Sequence, residues 1–403
     1  MIQKLIETQL QLTSKIEQTN KRYIYSQISW NEKAIALTGA RGTGKTTLLL
    51  QHYKEKYDDP NKCIYMVGDD IDVIANNLLN IIDIFYKLGG KCVIVDEVHK
   101  YPNWSQEIKN AYDRYPDLQI IISGSSTLEI IKGKYDLSRR VVSYELYGLS
   151  FREFLNFELK QNIKTYNLNN IINNHFAISE EIKTAIGNRK ILNLFQKYLT
   201  YGYFPYYMEG IETYQSKLQN SLNKILYEDI PSSYELKSSS IQYLKKIIYL
   251  VSGEKPFLVD VSRISSSLGL SREYVYQYID YLEKAGILIG LKRGSSGHKA
   301  VRKPEKLFID NTNLYLSISK DEINANNIGV VRETFSANQL TKHGKITIPN
   351  DGDFIWNKNI IEVGGKSKLN KVTATETNKL FFLDQIETGN QNVIPLYLLG
   401  FGY

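Results

Sequence analysis

Apolar and polar positions change period several times along this chain, and each change marks an element. Residues 1–30 set Ile2, Leu5, Ile6, Leu10 and Ile16 in one broad stripe among Gln, Lys and Glu, the spacing of an amphipathic helix. Short apolar runs follow at Ala34 to Leu37, Lys62 to Val67, Cys92 to Val95 and Gln119 to Ser123. They alternate with helical spacing at Thr46 to Tyr57, Ile71 to Leu88 and Trp104 to Tyr115, which predicts an α/β fold with a parallel sheet covered on both faces. A further strand is expected at Val141 to Tyr144. From Phe151 to about Leu236 the pattern is helical, broken by the Asn-rich stretch Gln161 to Asn174, which reads as a loop. The run Tyr201-Gly202-Tyr203-Phe204-Pro205-Tyr206-Tyr207 is punctuated by Gly and Pro and reads as a packed turn, not a base-stacking platform. Then come a helix at Val261 to Leu268, a break at Gly269-Leu270, and Ser271 as N-cap of a helix carrying Val275, Ile279 and Leu282. With the apolar strand Ile287 to Leu291 this order reads as a helix-turn-helix plus wing.

Composition sharpens the picture in three places. At 403 residues the chain is long for one core, and roughly two to four domains are expected. Lys and Arg number 50 against 43 Asp and Glu, a net charge of +7 that permits nucleic-acid contact without demanding it. Cys63 and Cys92 lie inside apolar strand-like runs and suit small buried hydrophobes better than a disulfide, so a reducing cytoplasm is expected. No apolar run approaches the roughly 18 residues of a membrane span, and no membrane partner is expected.

The most specific stretch is Gly39-Ala40-Arg41-Gly42-Thr43-Gly44-Lys45-Thr46, a G-x-x-x-x-G-K-[ST] pattern with a strand before it and a helix after. Glycines let successive N–H groups turn inward on a phosphate, and the helix that follows adds its positive end. Residues 39–47, through Thr47, are therefore the expected phosphate cradle, with Lys45 on the β- and γ-phosphates and Thr46 on Mg²⁺. In an open α/β sheet the ligand sits beyond the carboxyl ends of the strands. Asp96, ending one strand, is the expected second holder of Mg²⁺, and Glu97 the group that polarises the attacking water. Ser123 to Ser126 end the next strand, and Ser125 is taken as the γ-phosphate sensor. Arg140 is the arginine assigned to the triphosphate, within the chain or across a self-associated boundary.

Four blocks together resemble the AAA-type P-loop ATPases of bacteria and archaea that carry a C-terminal domain of unknown function. They are Gly39 to Thr46; Val95-Asp96-Glu97-Val98-His99-Lys100-Tyr101-Pro102-Asn103-Trp104; Ile122 to Ser126; and Arg139-Arg140 with Tyr147-Gly148-Leu149-Ser150-Phe151-Arg152-Glu153-Phe154. The resemblance implies ATP binding and hydrolysis on an AAA-like core, and a tail resembling restriction-endonuclease folds. The expected organisation is an N-terminal helix (1–30), ATPase core (31–150), helical lid (151–236), winged helix (237–298) and nuclease-like α/β domain (299–403).

Beyond the core two further sites are expected. Lys292, Arg293, Lys299, Arg302 and Lys303 gather around a Gly/Ser hairpin as a ridge for DNA phosphates. Glu333, Asp353 and Glu362 are candidates for a second metal, as nucleases hold one with a helix carboxylate and two strand carboxylates. The lysine such sites need belongs two residues after Glu362, where this chain has Gly364; Lys366 keeps the parity. Three functions stay open: an ATPase acting as a conformational switch, with DNA as a partner; an ATP-gated, metal-dependent DNA nuclease; and a nucleotide-sensing module that binds another protein.

Overall fold

Strands form where apolar runs can be buried on both faces. In β1 (Ala34–Thr38), β2 (Cys63–Val67), β3 (Cys92–Asp96) and β4 (Gln119–Ser123) nearly every residue is buried, whereas β5 (Val142–Glu145) is largely exposed at an edge. All pairings are parallel and the order is β2-β3-β4-β1-β5, so β4 lies between β1 and β3. The computed structural model describes residues 1–124, 137, 139–253, 257–293, 304–371 and 378–403, and the chain divides into two units, Met1–Gly148 and Leu149–Tyr403.

In the first unit α1 (Ile2–Ser14), α2 (Lys45–Lys56), α3 (Ile71–Asn76), α4 (Leu78–Lys87) and α5 (Trp104–Arg114) accompany the sheet. Two expectations are corrected. The first helix stops at Ser14, not near residue 30, and its buried face carries Leu5, Gln9 and Thr13 while Leu10 is exposed. Gln9 is buried because its amide bonds the backbone of β2, donating to the Cys63 carbonyl at 3.0 Å and accepting from the Tyr65 N–H at 2.5 Å. The helix expected from Ile71 to Leu88 is two, because Asn77 at φ 63° turns the chain and caps α4 through Asn80 N–H.

The second unit begins with α6 (Phe151–Leu159), α7 (Leu168–Ile186), α8 (Ile191–Tyr201), α9 (Tyr214–Lys224) and the short α10 (Ile230–Tyr234). The Asn-rich stretch is not all loop: Asn167 caps α7 by accepting from Asn170 N–H, and the helix runs through the stretch with a kink at Asn174. Leu168, Ile171, His175, Ile178, Ile182 and Ile186 are its buried positions, a helical period hidden among asparagines. The helices expected to form a separate lid share one core with the end of the chain, where Leu396, Tyr397 and Phe401 are buried among Phe151, Phe195 and Tyr198. Tyr203, Phe204 and Tyr207 are buried in the same core, as a packed turn requires.

Further on, α11 (Ser238–Val251), β6 (Phe257–Leu258), α12 (Val261–Leu268), α13 (Arg272–Lys284), β7 (Leu288–Leu291) and β8 (Lys306–Ile309) follow in order, with an antiparallel sheet β6-β8-β7. Gly269 at φ 64° makes the break, and Ser271 caps α13 by accepting from Tyr274 N–H. After α14 (Thr312–Ser319) and α15 (Ile328–Thr341) comes a mixed sheet, β13-β12-β11-β10-β9. Its strands are β9 (Ile346–Thr347), β10 (Phe354–Trp356), β11 (Asn359–Gly364), β12 (Lys379–Leu383) and β13 (Val393–Pro395), parallel from β11 onward. No helix among the described residues is long and apolar enough to cross a membrane.

Candidate functional site

The loop between β1 and α2 has the backbone its glycines predict, with φ of 147° at Gly39, 84° at Gly42 and 97° at Gly44. Gly39 is held for a second reason: a Cβ there would lie 2.2 Å from the Leu146 carbonyl oxygen. Buried Lys45 folds back over the loop, its ammonium donating to the Gly39 carbonyl at 2.8 Å and the Ala40 carbonyl at 3.0 Å. Thr43 Oγ1 donates to the Ala40 carbonyl at 2.9 Å. Arg41 is half-buried, and Thr46 and Thr47 are exposed in the first turn of α2.

Asp96 ends β3, and its carboxylate takes four hydrogen bonds from neutral donors among the described residues. Oδ2 accepts from Thr46 Oγ1 at 2.6 Å and from Tyr65 Oη at 2.8 Å. Oδ1 accepts from Ser123 Oγ and from the Glu97 N–H, which also donates to Ser123 Oγ at 3.1 Å. Burial and the neighbouring Asp96 push the Tyr65 phenol well up, so it stays a donor. Ser123 ends β4, the strand between β1 and β3, so its hydroxyl meets the Asp96 carboxylate and the Glu97 N–H from the neighbouring strand. Ser125, the sensor expected from sequence, lies outside the described residues.

Glu97 takes a left-handed backbone, φ 50° and ψ 40°, against Gly68, where a Cβ would lie 2.5 Å from the Glu97 carbonyl oxygen. Lys100 Nζ sits 2.8 Å from Glu97 Oε2 and 2.6 Å from Asp69 Oδ2. Burial pushes the Glu97 carboxyl up, but the Lys100 bond and charge, with Arg41 and His99, outweigh it and hold the group below its usual range.

Several of these residues escaped the motif. Lys100 had a visible signal, one helical turn beyond Glu97. Tyr65 and Gly68 had none, because sheet order decides which strand lies beside β3.

Other candidates fall elsewhere. Arg140 lies before β5, at the amino edge of the sheet, opposite the edge that carries the loop. There it grips Asp113 with Nε at 2.9 Å and Nη2 at 3.2 Å, so the structure does not bring it to the phosphate loop of its own chain. Of the basic ridge, Lys292 is exposed, and Arg293 is engaged by Glu305 at 3.0 Å and Asn350 at 2.9 Å. Lys299, Arg302 and Lys303 lie outside the described residues.

The three carboxyl-terminal acids do gather, but with lysines among them. Lys306 Nζ meets Glu333 Oε2 at 2.5 Å, Asp353 Oδ2 accepts the Val363 N–H at 2.7 Å, and Lys368 donates to Glu362 and to the Val363 carbonyl. The expected lysine is corrected: Lys366 is exposed, and Lys368 reaches Glu362 across Gly364, where a Cβ would lie 2.4 Å from its Cδ. Burial raises the carboxyls of Glu333 and Asp353; repulsion from Asp353 adds to the first and repulsion from Glu362 to the second. Among the described residues no group of three or more His, Cys, Asp or Glu is arranged to hold a metal ion, so the second metal site expected at Glu333, Asp353 and Glu362 is not formed.

The left-handed glycines, the Lys45 ammonium and the converging Thr46 hydroxyl and Asp96 carboxylate are a donor set suited to a phosphate chain and a hard divalent cation. Comparison with known proteins agrees. Residues 31–155 match a family described as an AAA domain, and residues 192–322 match a domain of unknown function (DUF8612). An uncharacterized protein of Methanocaldococcus jannaschii is 28% identical over 289 residues, 68% of this chain and 60% of that one. One from Haemophilus influenzae is 26% identical over 208 residues, 50% of this chain and 45% of that one. The chain thus spans 60% and 45% of the length of these two relatives. A Walker-type ATPase of Pyrococcus abyssi aligns at a TM-score of 0.41 and 12% identity, over 72% of this chain and 91% of that one. AMPPCP-bound DnaA of Aquifex aeolicus aligns at 0.28 and 15%, over 65% and 84%. At these scores the structural likenesses add nothing to the family match. That match, over residues 31–155, makes the amino-terminal part of the chain similar to an AAA-type P-loop ATPase domain.

Proposed function

We propose that the chain binds ATP with Mg²⁺ at the loop 39–47 and hydrolyses it, using the free energy to rearrange the elements that follow. The observation that carries this reading is the 2.6 Å hydrogen bond between Thr46 Oγ1 and Asp96 Oδ2. A hydroxyl and a carboxylate that already converge need little reorganisation to face one divalent cation. Bound MgATP would supply the electrophilic γ-phosphoryl group and the cation that offsets charge on its oxygens. The chain's own part is positional and acid–base. Lys45 exchanges the Gly39 and Ala40 carbonyls for phosphate oxygens, Tyr65 and Ser123 keep Asp96 aimed, and Glu97 accepts a proton from the attacking water. Lys45→Ala should abolish nucleotide binding, whereas Glu97→Gln should keep binding and stop turnover; equal turnover in both variants and the parent chain sinks the assignment.

A second reading concerns DNA. We read the order α11, β6, α12, α13, β7, β8 as a winged helix; Arg263 and Arg272 are exposed on its helix pair, as are Tyr274 and Gln277. We read this face as a DNA contact whose occupation is tied to nucleotide state. Duplex DNA should then bind with an affinity that falls steeply with salt and should change the ATPase rate. No binding in low salt and no change in rate leaves a protein partner as the occupant.

A further inference from the structure

The phosphate loop is fastened from outside its own motif. Arg22, in the segment after α1, is buried, and its guanidinium donates Nη1–H to the Thr43 carbonyl and Nη2–H to the carbonyls of Tyr147 at 2.8 Å and Gly148 at 2.9 Å. The same stretch fastens the loop's other end: the Leu146 N–H donates to the Thr38 carbonyl at 2.8 Å, and the Leu146 carbonyl lies where a Cβ on Gly39 would sit. Both ends of the loop are therefore tied to residues 146–148, the amino end by direct backbone contact and the carboxyl end through one arginine.

Resting on the nucleotide reading above, we infer that Arg22 is a positioning residue of the phosphate site, which acts by fixing the peptide between Thr43 and Gly44. A trans peptide points its C=O and N–H in opposite directions, and no described peptide bond here is cis. A Thr43 carbonyl held on the Arg22 side therefore turns the Gly44 N–H away from Arg22, toward the concave side of the loop where a phosphate oxygen needs a donor. The Gly39 and Ala40 carbonyls look the other way, onto Lys45. Arginine suits the task better than lysine, because a planar fork with several donors can hold three carbonyls at fixed angles.

The test is the equilibrium affinity for MgATP of the full chain and of Arg22→Ala, Arg22→Gln and Arg22→Lys, with thermal unfolding of each recorded without nucleotide. Losing the brace frees one charge-assisted donor arrangement, so Arg22→Ala should bind MgATP about ten- to a hundredfold more weakly. Arg22→Lys should fall between. Millimolar guanidinium, far below denaturing levels, should restore affinity to Arg22→Ala where equal sodium does not. Affinity within twofold of the parent chain in Arg22→Ala overturns the inference. So does a loss that follows the drop in melting temperature and that neither guanidinium nor Arg22→Lys repairs. If Arg22→Ala does not fold, Arg22→Gln and Arg22→Lys carry the same comparison. A parent chain that fails to bind MgATP defeats the nucleotide reading itself, a result distinct from a parent chain that binds and an Arg22→Ala that binds equally well.

Discussion

Two clusters of acids in this molecule are built on opposite principles. Among the described residues the Asp96 carboxylate is bonded by three hydroxyls and a backbone N–H, all neutral, which leaves it open to a cation. Glu333 and Glu362 are each bonded by a lysine ammonium, and that charge is already answered. A carboxylate count alone cannot tell the two apart; the identity of the donors does. Glu97 falls between: a lysine holds it, and the role proposed for it is to accept a proton.

Experiments can break or sharpen this contrast. The largest effect is expected at Lys45→Ala, where MgATP affinity measured by calorimetry should fall about a hundredfold or more as charged hydrogen bonds to phosphate are lost. Glu97→Gln should lower steady-state turnover by about 10²–10⁴ while affinity stays within a few-fold. Tyr65→Phe removes one of Asp96's four donors and should cost about 1 kcal/mol, read as a few-fold rise in the Mg²⁺ needed for half-maximal turnover. The same substitution should leave a plasmid assay for the carboxyl-terminal acids unmoved. In that assay Mn²⁺-dependent nicking lost in Asp353→Ala would mean that the lysines there yield to a metal, and would erase the distinction drawn above.

Proton linkage gives the finest test, with opposite signs in the two clusters. Glu97 must be ionised to accept a proton, and Lys100 holds it below its usual range despite burial. The acid limb of the turnover profile should then lie below the usual carboxylate range, and Lys100→Met should move it upward. Asp353 is the reverse: burial, then Glu362, raises its carboxyl against the pull of Lys368 and Lys306. A raised carboxyl loses stability as pH climbs from its unfolded value through its folded one. Asp353→Asn should therefore raise the urea midpoint at about pH 7 and leave it unchanged near pH 3.

The α/β sheet was legible because its strands are uniform apolar runs, and the loop because glycine, lysine and threonine occur at fixed spacing beside one of them. Contacts set by sheet order were not legible. Ser123 and Tyr65 meet Asp96 only because β4 and β2 flank β3, and nothing in a single run of residues states that adjacency. Arg140 lies before β5, away from the loop of its own chain, and of the two roles expected for it this disfavours the one within the chain. The first part of α7, Leu168 to Asn174, was read as loop because its asparagines masked the helical period that Leu168 and Ile171 begin. Gly364 was noticed as a missing lysine; its use as the passage for Lys368 depends on a turn that follows the strand.

Gln9 carries a consequence outside the catalytic question. β2 ends the sheet on one side, and an unpaired outer strand is a template for any passing chain. By spending its amide on the Cys63 carbonyl and the Tyr65 N–H, Gln9 occupies the pair of groups a foreign strand would seize first. One glutamine on a surface helix thereby acts as a guard against aggregation, and Gln9→Leu, alike in bulk, would leave that border open to another copy.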